Sequence, residues 1–301
     1  MRFGICGLGR MGESLALQAI DHGHEVVGFD PQGSEALEAA GGRVVDSVDA
    51  LAKALAPPRV ALVYVPHGDP TEEVLSQLEQ AFERDDVVVD GGNTHWDESI
   101  RRHGEFAERG IRFLDAGTSG GVTGARNGAC FMVGGDADAY ALVEELLVDL
   151  AVPEGALYVG ATGSGHFVKN VHNMIEFGMV QAIGEGVELL KTGDWDIDLA
   201  DLFHNWNHGS VIRSWLVELM ERALRSEHHM EDLDPYIEDT GEQRWGVQYA
   251  LDKELPIPLL AQAVWGFYES RDEGRPWAKS VALLRHEYGG HPLRTKARKD
   301  A

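Results

Sequence analysis

The first thirty residues, MRFGICGLGRMGESLALQAIDHGHEVVGFD (1–30), decide the fold. Arg2–Cys6 is a short apolar run that reads as a strand. Gly7-Leu8-Gly9-Arg10-Met11-Gly12 follows it, and Arg10–Asp21 reads as a helix. Glu25–Phe29 is a second strand, closed by Asp30. Strand, glycine loop, helix, strand and terminal acid make the context of a dinucleotide site. The loop lets backbone approach a pyrophosphate, the helix N-terminus favours its charge, and the acid accepts from ribose hydroxyls. Gly7, Leu8, Gly9, Arg10, Met11, Gly12 and Asp30 are therefore candidate cofactor residues.

Working outward, strands are expected at Arg43–Asp46, Val60–Val65, Val87–Asp90, Arg112–Asp115 and Ala129–Val133, with helical stretches between them and a helix at Ala137–Leu150. Short strands at this spacing predict an α/β domain with a doubly wound parallel, Rossmann-like sheet. From about Gly160 the pattern turns helical, at 195–225, 243–253, 257–272 and 276–287. The expected organisation is a dinucleotide-binding domain over 1–162 and an all-α domain over 163–301. Three later segments sit where such a sheet meets its ligands: Val65-Pro66-His67-Gly68, Asp90-Gly91-Gly92-Asn93-Thr94 and Ser119-Gly120-Gly121. Each also fits a simple turn, and His67 alone reads as incidental.

The stretch GSGHFVKNVHNMIEFGMVQAIGEG (163–186) opens the second domain as a long helix. Lys169, His172, Asn173 and Glu176 fall on one stripe at 3.6 residues per turn, with Val171, Ile175 and Met179 free to face a core. An ordinary solvated face has the same spacing. The apolar and glycine-rich flanks favour a row facing a ligand, and a desolvated lysine has the lowered pKa of a general base.

Composition narrows the function classes. A chain that is 44% hydrophobic is globular. No uncharged apolar run is long enough for a membrane span, and the N-terminus lacks a signal-peptide layout, so a cytoplasmic protein is expected. Cys6 and Cys130 read as reduced structural thiols. A net charge of −24 excludes a nucleic-acid partner, which would need a basic stripe. The acidic, lysine-poor surface this implies suits a salt-adapted protein, because high ionic strength screens self-repulsion. No metal-ligand spacing is present.

Six stretches carry a family resemblance: GLGRMG (7–12), DGGNTHWDESIRR (90–102), FLDAGTSGGVTGARNGACFMVGG (113–135), GSGHFVKNVHNMIEFG (163–178), DTGEQRW (239–245) and RHEYGGH (285–291). Together they resemble decarboxylating 6-phosphogluconate dehydrogenases of the short form, over residues 1 to about 291. The K-x-x-H-N-x-x-E row is the specific part, since the related β-hydroxyacid dehydrogenases share the glycine loop, Ser-Gly-Gly and lysine but not the rest. The resemblance implies oxidation of 6-phosphogluconate to ribulose 5-phosphate and CO2, a reaction of the pentose phosphate pathway and gluconate utilisation. It implies Lys169 as the base and Glu176 as the acid. Asn93, Ser119, Gly120, Gly121, His172, Asn173, Arg285 and His291 would hold the substrate, and Val65 and Asn93 would line the cofactor. It also implies a homodimer or higher homo-oligomer, in which the tail segment Arg285–His291 serves the neighbouring subunit.

Some positions depart from the family. The tyrosine that binds the substrate phosphate is Phe177 here, which has no hydroxyl to donate. Thr240, Gln243, Arg244 and Arg271 are candidate substitutes for missing basic residues. These departures keep open a β-hydroxyacid dehydrogenase acting on a small unphosphorylated acid. Asp30, with no basic residue after it until Arg43, favours NAD over NADP. Arg10 keeps NADP possible.

Overall fold

A computed structural model describes residues 1–227, 232–233, 236–237 and 241–271. Eight strands form one sheet: β1 (Arg2–Cys6), β2 (Glu25–Phe29), β3 (Arg43–Val45), β4 (Val60–Val63), β5 (Val87–Asp90), β6 (Arg112–Ser119), β7 (Ala129–Gly135) and β8 (Ala151–Gly160). Seven helices alternate with them: α1 (Arg10–Asp21), α2 (Glu35–Ala39), α3 (Val48–Ala54), α4 (Asp69–Ala81), α5 (Trp96–Glu108), α6 (Gly121–Asn127) and α7 (Ala137–Asp149). The strand order is β3-β2-β1-β4-β5-β6-β7-β8. Its first six strands follow the doubly wound dinucleotide-binding order, with the switch point between β1 and β4.

Alternation of side chains explains the two-faced core. Phe3, Ile5, Val26, Leu62, Val89 and Leu114 join one buried cluster. Cys6, Val27, Ala61, Val63, Val88 and Phe113, at interleaved positions of the same strands, join another. Both faces of a parallel sheet are covered by helices, so its central strands are apolar throughout.

Two features of the sheet differ from the sequence reading. β7 runs antiparallel to β6, with Ala116 opposite Val133. The α6 turn between them is too short for a parallel crossover. β8 then pairs parallel with β7. It lacks an apolar run, with Val152, Pro153 and Glu154 exposed, and so left no strand signal.

Among the described residues five helices follow: α8 (Ser164–Lys191), α9 (Leu199–Asn207), α10 (Trp215–Leu224), α11 (Glu242–Asp252) and α12 (Pro258–Arg271). The expected single helix over 195–225 is two, because His208–Ser214 breaks it and Asp198 and Ser214 cap the pieces. The helix expected at 276–287 lies outside the described residues. Met1–Ile175 with Glu242–Tyr249 form one compact unit; the described residues among 176–241 and 250–271 form the other. In the second unit, Val187, Phe203 and Val217 make a small core and Phe177 packs edge-on against Phe267. None of the helices among the described residues is long and apolar enough to cross a membrane.

Candidate active site

The glycine loop is shaped by close backbone approach. Gly7 has φ +91°, and a Cβ there would strike the Tyr64 carbonyl. A Cβ on Gly12 would strike the Gly7 carbonyl. Gly9 stands at the N-cap of α1 with no side chain capping it and open space before it. By contrast, α2 and α3 are capped by Ser34 and Ser47. Free amides at a helix N-terminus suit a pyrophosphate. Asp30 follows β2, and its carboxylate accepts from Leu8 N and Gln32 N, both at 2.8 Å. It therefore fixes the loop as well as standing where ribose hydroxyls would lie. Arg10 is exposed, Met11 is half-buried, and Val65 packs beside Gly7. This arrangement fits a dinucleotide, which Gly7–Gly12 and Asp30 would hold.

The loops after β4, β5 and β6 are braced from below. The Tyr64 hydroxyl lies 2.9 Å from Thr118 Oγ1, and a Cβ on Gly91 would strike the Tyr64 ring. Burial pushes the Tyr64 phenol well above its usual pKa, so it stays neutral. Asp90, fully buried, accepts from Gly92 N at 3.1 Å and from Arg102 Nη1 at 2.9 Å. Arg102 also pairs with Glu72. Burial raises the Glu72 pKa, but its bonds to Arg102 and Arg101 outweigh that and hold it below the usual range. Asn93, half-buried, sits in the loop that this buried pair shapes.

The polar row of α8 meets the end of β6. Ser119 Oγ lies 3.1 Å from His172 Nε2. Lys169 Nζ is 3.4 Å from His172 Nδ1, which is 3.1 Å from Asn173 Oδ1. A proton on Nδ1 would be donated to Asn173, leaving Nε2 to accept from the serine hydroxyl. Gly120 (φ +115°) and Gly121 (φ +58°) turn the chain from β6 into α6 directly after Ser119. The structure brings Lys169, His172, Asn173 and Ser119 together. Glu176 is half-buried one residue into the second unit, on the same helix. Arg285 and His291 lie outside the described residues.

One expectation is overturned. Val171, Ile175 and Met179 do not face a core; they are 37%, 50% and 42% exposed. The buried face of α8 carries His166, Asn170 and Met174 instead, because α8 packs against β6, β7 and α11 on that side. Asn170 Nδ2 donates to the Glu242 carbonyl at 2.7 Å. The expected structural thiols also divide: Cys6 is buried and pushed up to about 12 by that burial, whereas Cys130 is exposed on β7.

An aromatic cluster escaped the sequence reading. Trp245 meets His67 and His95 edge-on, and Tyr249 meets Trp96 and Phe167. His67 is therefore part of the packing that seats α11 on the β4 and β5 loops. Nothing in the spacing of these residues reveals partners so far apart in sequence.

Fold and site define a nicotinamide-dinucleotide-dependent dehydrogenase. Residues 2–160 match the NAD binding domain of 6-phosphogluconate dehydrogenase, and residues 165–292 match the 6-phosphogluconate dehydrogenase C-terminal domain. The Bacillus subtilis protein YqeC is 43% identical over 98% of this chain and all of its own length. The NAD(+)-dependent, decarboxylating 6-phosphogluconate dehydrogenase of Haloferax volcanii is 42% identical, with both chains covered in full. Among solved structures, Plasmodium falciparum 6-phosphogluconate dehydrogenase superposes with a TM-score of 0.83 at 25% identity, covering 100% of this chain and 67% of that one. The chain belongs to the decarboxylating 6-phosphogluconate dehydrogenase family.

Proposed function

We propose that this chain oxidises 6-phosphogluconate with NAD and releases CO2 and ribulose 5-phosphate in the cytoplasm. The observation that carries the reading is the gathering of Ser119, Lys169, His172 and Asn173 at the end of β6. When bound, the nicotinamide supplies the acceptor for the hydride leaving C3. Lys169 takes the proton of the 3-hydroxyl as that hydride leaves. The protonated Lys169 then stands beside the new C3 ketone and returns its proton to that oxygen as CO2 departs, so that an enediol forms. Glu176 protonates C1 of the resulting enediol. Asn93, Ser119, Gly120, Gly121, His172 and Asn173 orient the sugar acid. Domains 1–162 and 163–301 serve cofactor and substrate respectively.

Two finer assignments belong to the same reading. NAD is preferred because Asp30 accepts from ribose hydroxyls and repels a 2′-phosphate; the NAD dependence named for the Haloferax volcanii relative supports this. Arg285 and His291 bind the phosphate of a neighbouring subunit's substrate. Their arrangement is tested by mixing Lys169→Met and Arg285→Ala dimers, which regain activity on subunit exchange only if the tail crosses.

The reading is tested by supplying NAD with 6-phosphogluconate or with 3-hydroxyisobutyrate, at low and at molar KCl. Reduction of NAD with 6-phosphogluconate alone supports it. Preference for the unphosphorylated acid would make this a β-hydroxyacid dehydrogenase.

A further inference from the structure

Asp115 has no place in the chemistry described above, yet it is fully buried directly beneath α8. It lies on β6, opposite Gly134 of β7. Its Oδ1 accepts from Gly163 N at 2.7 Å and its Oδ2 accepts from His166 N at 2.9 Å. Those are the amides of the residue before α8 and of its third residue, which no helical carbonyl can satisfy. Helices α2, α3, α9 and α10 are capped by a serine or aspartate of their own. Here the cap comes from a strand about fifty residues earlier, and Ser164 Oγ, at the first position of the helix, has no hydrogen-bond partner among the described residues.

The same turn is gripped on other sides. A Cβ on Gly165 would strike the Asp115 carbonyl, and a Cβ on Gly117 would strike Lys169 Cβ. Ser99 Oγ lies 2.7 Å from His166 Nδ1, both buried. Lys169 follows His166 by three residues, so the position of this turn sets the position of the lysine side chain.

We propose that Asp115 is a positioning residue for Lys169. Its carboxylate forms two charge-assisted bonds to the N-terminus of α8, where a negative charge is also favoured by the helix dipole. These bonds fix the register of α8 against β6, and with it the distance from Lys169 to a substrate held at Ser119. The proposal rests on the reading of Lys169 as the base.

The test uses Asp115→Asn and Asp115→Ala in the full-length enzyme. Asparagine keeps one acceptor and sets a donor against the other amide; alanine removes both bonds. Misplacing a catalytic group by about 1 Å can cost about 10²-fold, so kcat should fall about tenfold in the Asn variant and about 10²-fold in the Ala variant. The Kd for NAD should stay within about twofold, because the glycine loop is untouched. A lower melting temperature with unchanged kcat overturns the proposal, as does an equal loss of NAD binding. If alanine prevents folding, the Asn variant decides alone. Lys169→Met separates the two claims. If that variant turns over normally, the base assignment itself is wrong. If it is inactive while Asp115→Asn keeps full kcat, only the positioning role falls.

Discussion

Ser119 and His172 meet at 3.1 Å, Oγ to Nε2, across 53 positions of sequence. This contact joins the end of the sheet to the helix that carries the proposed base. Ser119→Ala removes one hydrogen bond of about 1 kcal/mol. It should raise KM for 6-phosphogluconate by about fivefold with little change in kcat, if the contact is equal in ground and transition states. Steady-state kinetics with saturating NAD check this; an unchanged KM would remove Ser119 from the substrate site.

Asp30 predicts a cofactor preference. The value of kcat/KM should be higher with NAD than with NADP, and Asp30→Asn should narrow the ratio by removing the repulsive charge. The same substitution should weaken NAD binding, because the carboxylate also holds Leu8 N and Gln32 N. Molar KCl should blunt the discrimination in the wild type. A higher kcat/KM with NADP would contradict the assignment.

The Arg102–Asp90 pair predicts a stability effect. Both side chains are almost fully buried, at 3% and 0% exposure. Arg102→Met leaves Asp90 as an uncompensated buried charge and should cost about 3–5 kcal/mol. Replacing Asp90 by Leu in the same variant should recover much of the loss, because the charge is then gone too. Urea midpoints of the single and double variants measure both effects.

His24 predicts acid sensitivity. Its Nδ1 lies 2.8 Å from the Met1 ammonium and its Nε2 3.0 Å from Asp149. Burial lowers its pKa, the ammonium adds to this, and Asp149 opposes it. The native imidazole therefore stays neutral where the unfolded one, with a pKa of about 6.5, takes up a proton. The stability it contributes is complete above about pH 6.5 and is lost as pH falls toward the folded pKa. His24→Gln should flatten the fall in urea midpoint between about pH 7 and about pH 5.

Much of this was legible in the sequence, and the rest was hidden for physical reasons. The glycine loop and Asp30 are local, so one stretch of chain reveals them. Lys169, His172 and Asn173 share a helix stripe, which spacing alone exposes. The partners of that stripe are not local. Asp115 reads as the end of an ordinary strand, and only the fold brings its carboxylate under Gly163 and His166. Val171, Ile175 and Met179 have the helical spacing of a core face, whereas the buried face of α8 is taken by polar His166 and Asn170 with Met174. β8 leaves no signal because an edge strand with exposed residues has no apolar pattern to read.

The most direct measurement follows the carbon and the electrons together. The enzyme is given 6-phosphogluconate labelled at C1 with NAD, and labelled CO2, NADH and ribulose 5-phosphate are counted. The account predicts one of each per molecule consumed, and none from the Lys169→Met variant. NADH formed without labelled CO2, or full product from Lys169→Met, would contradict it.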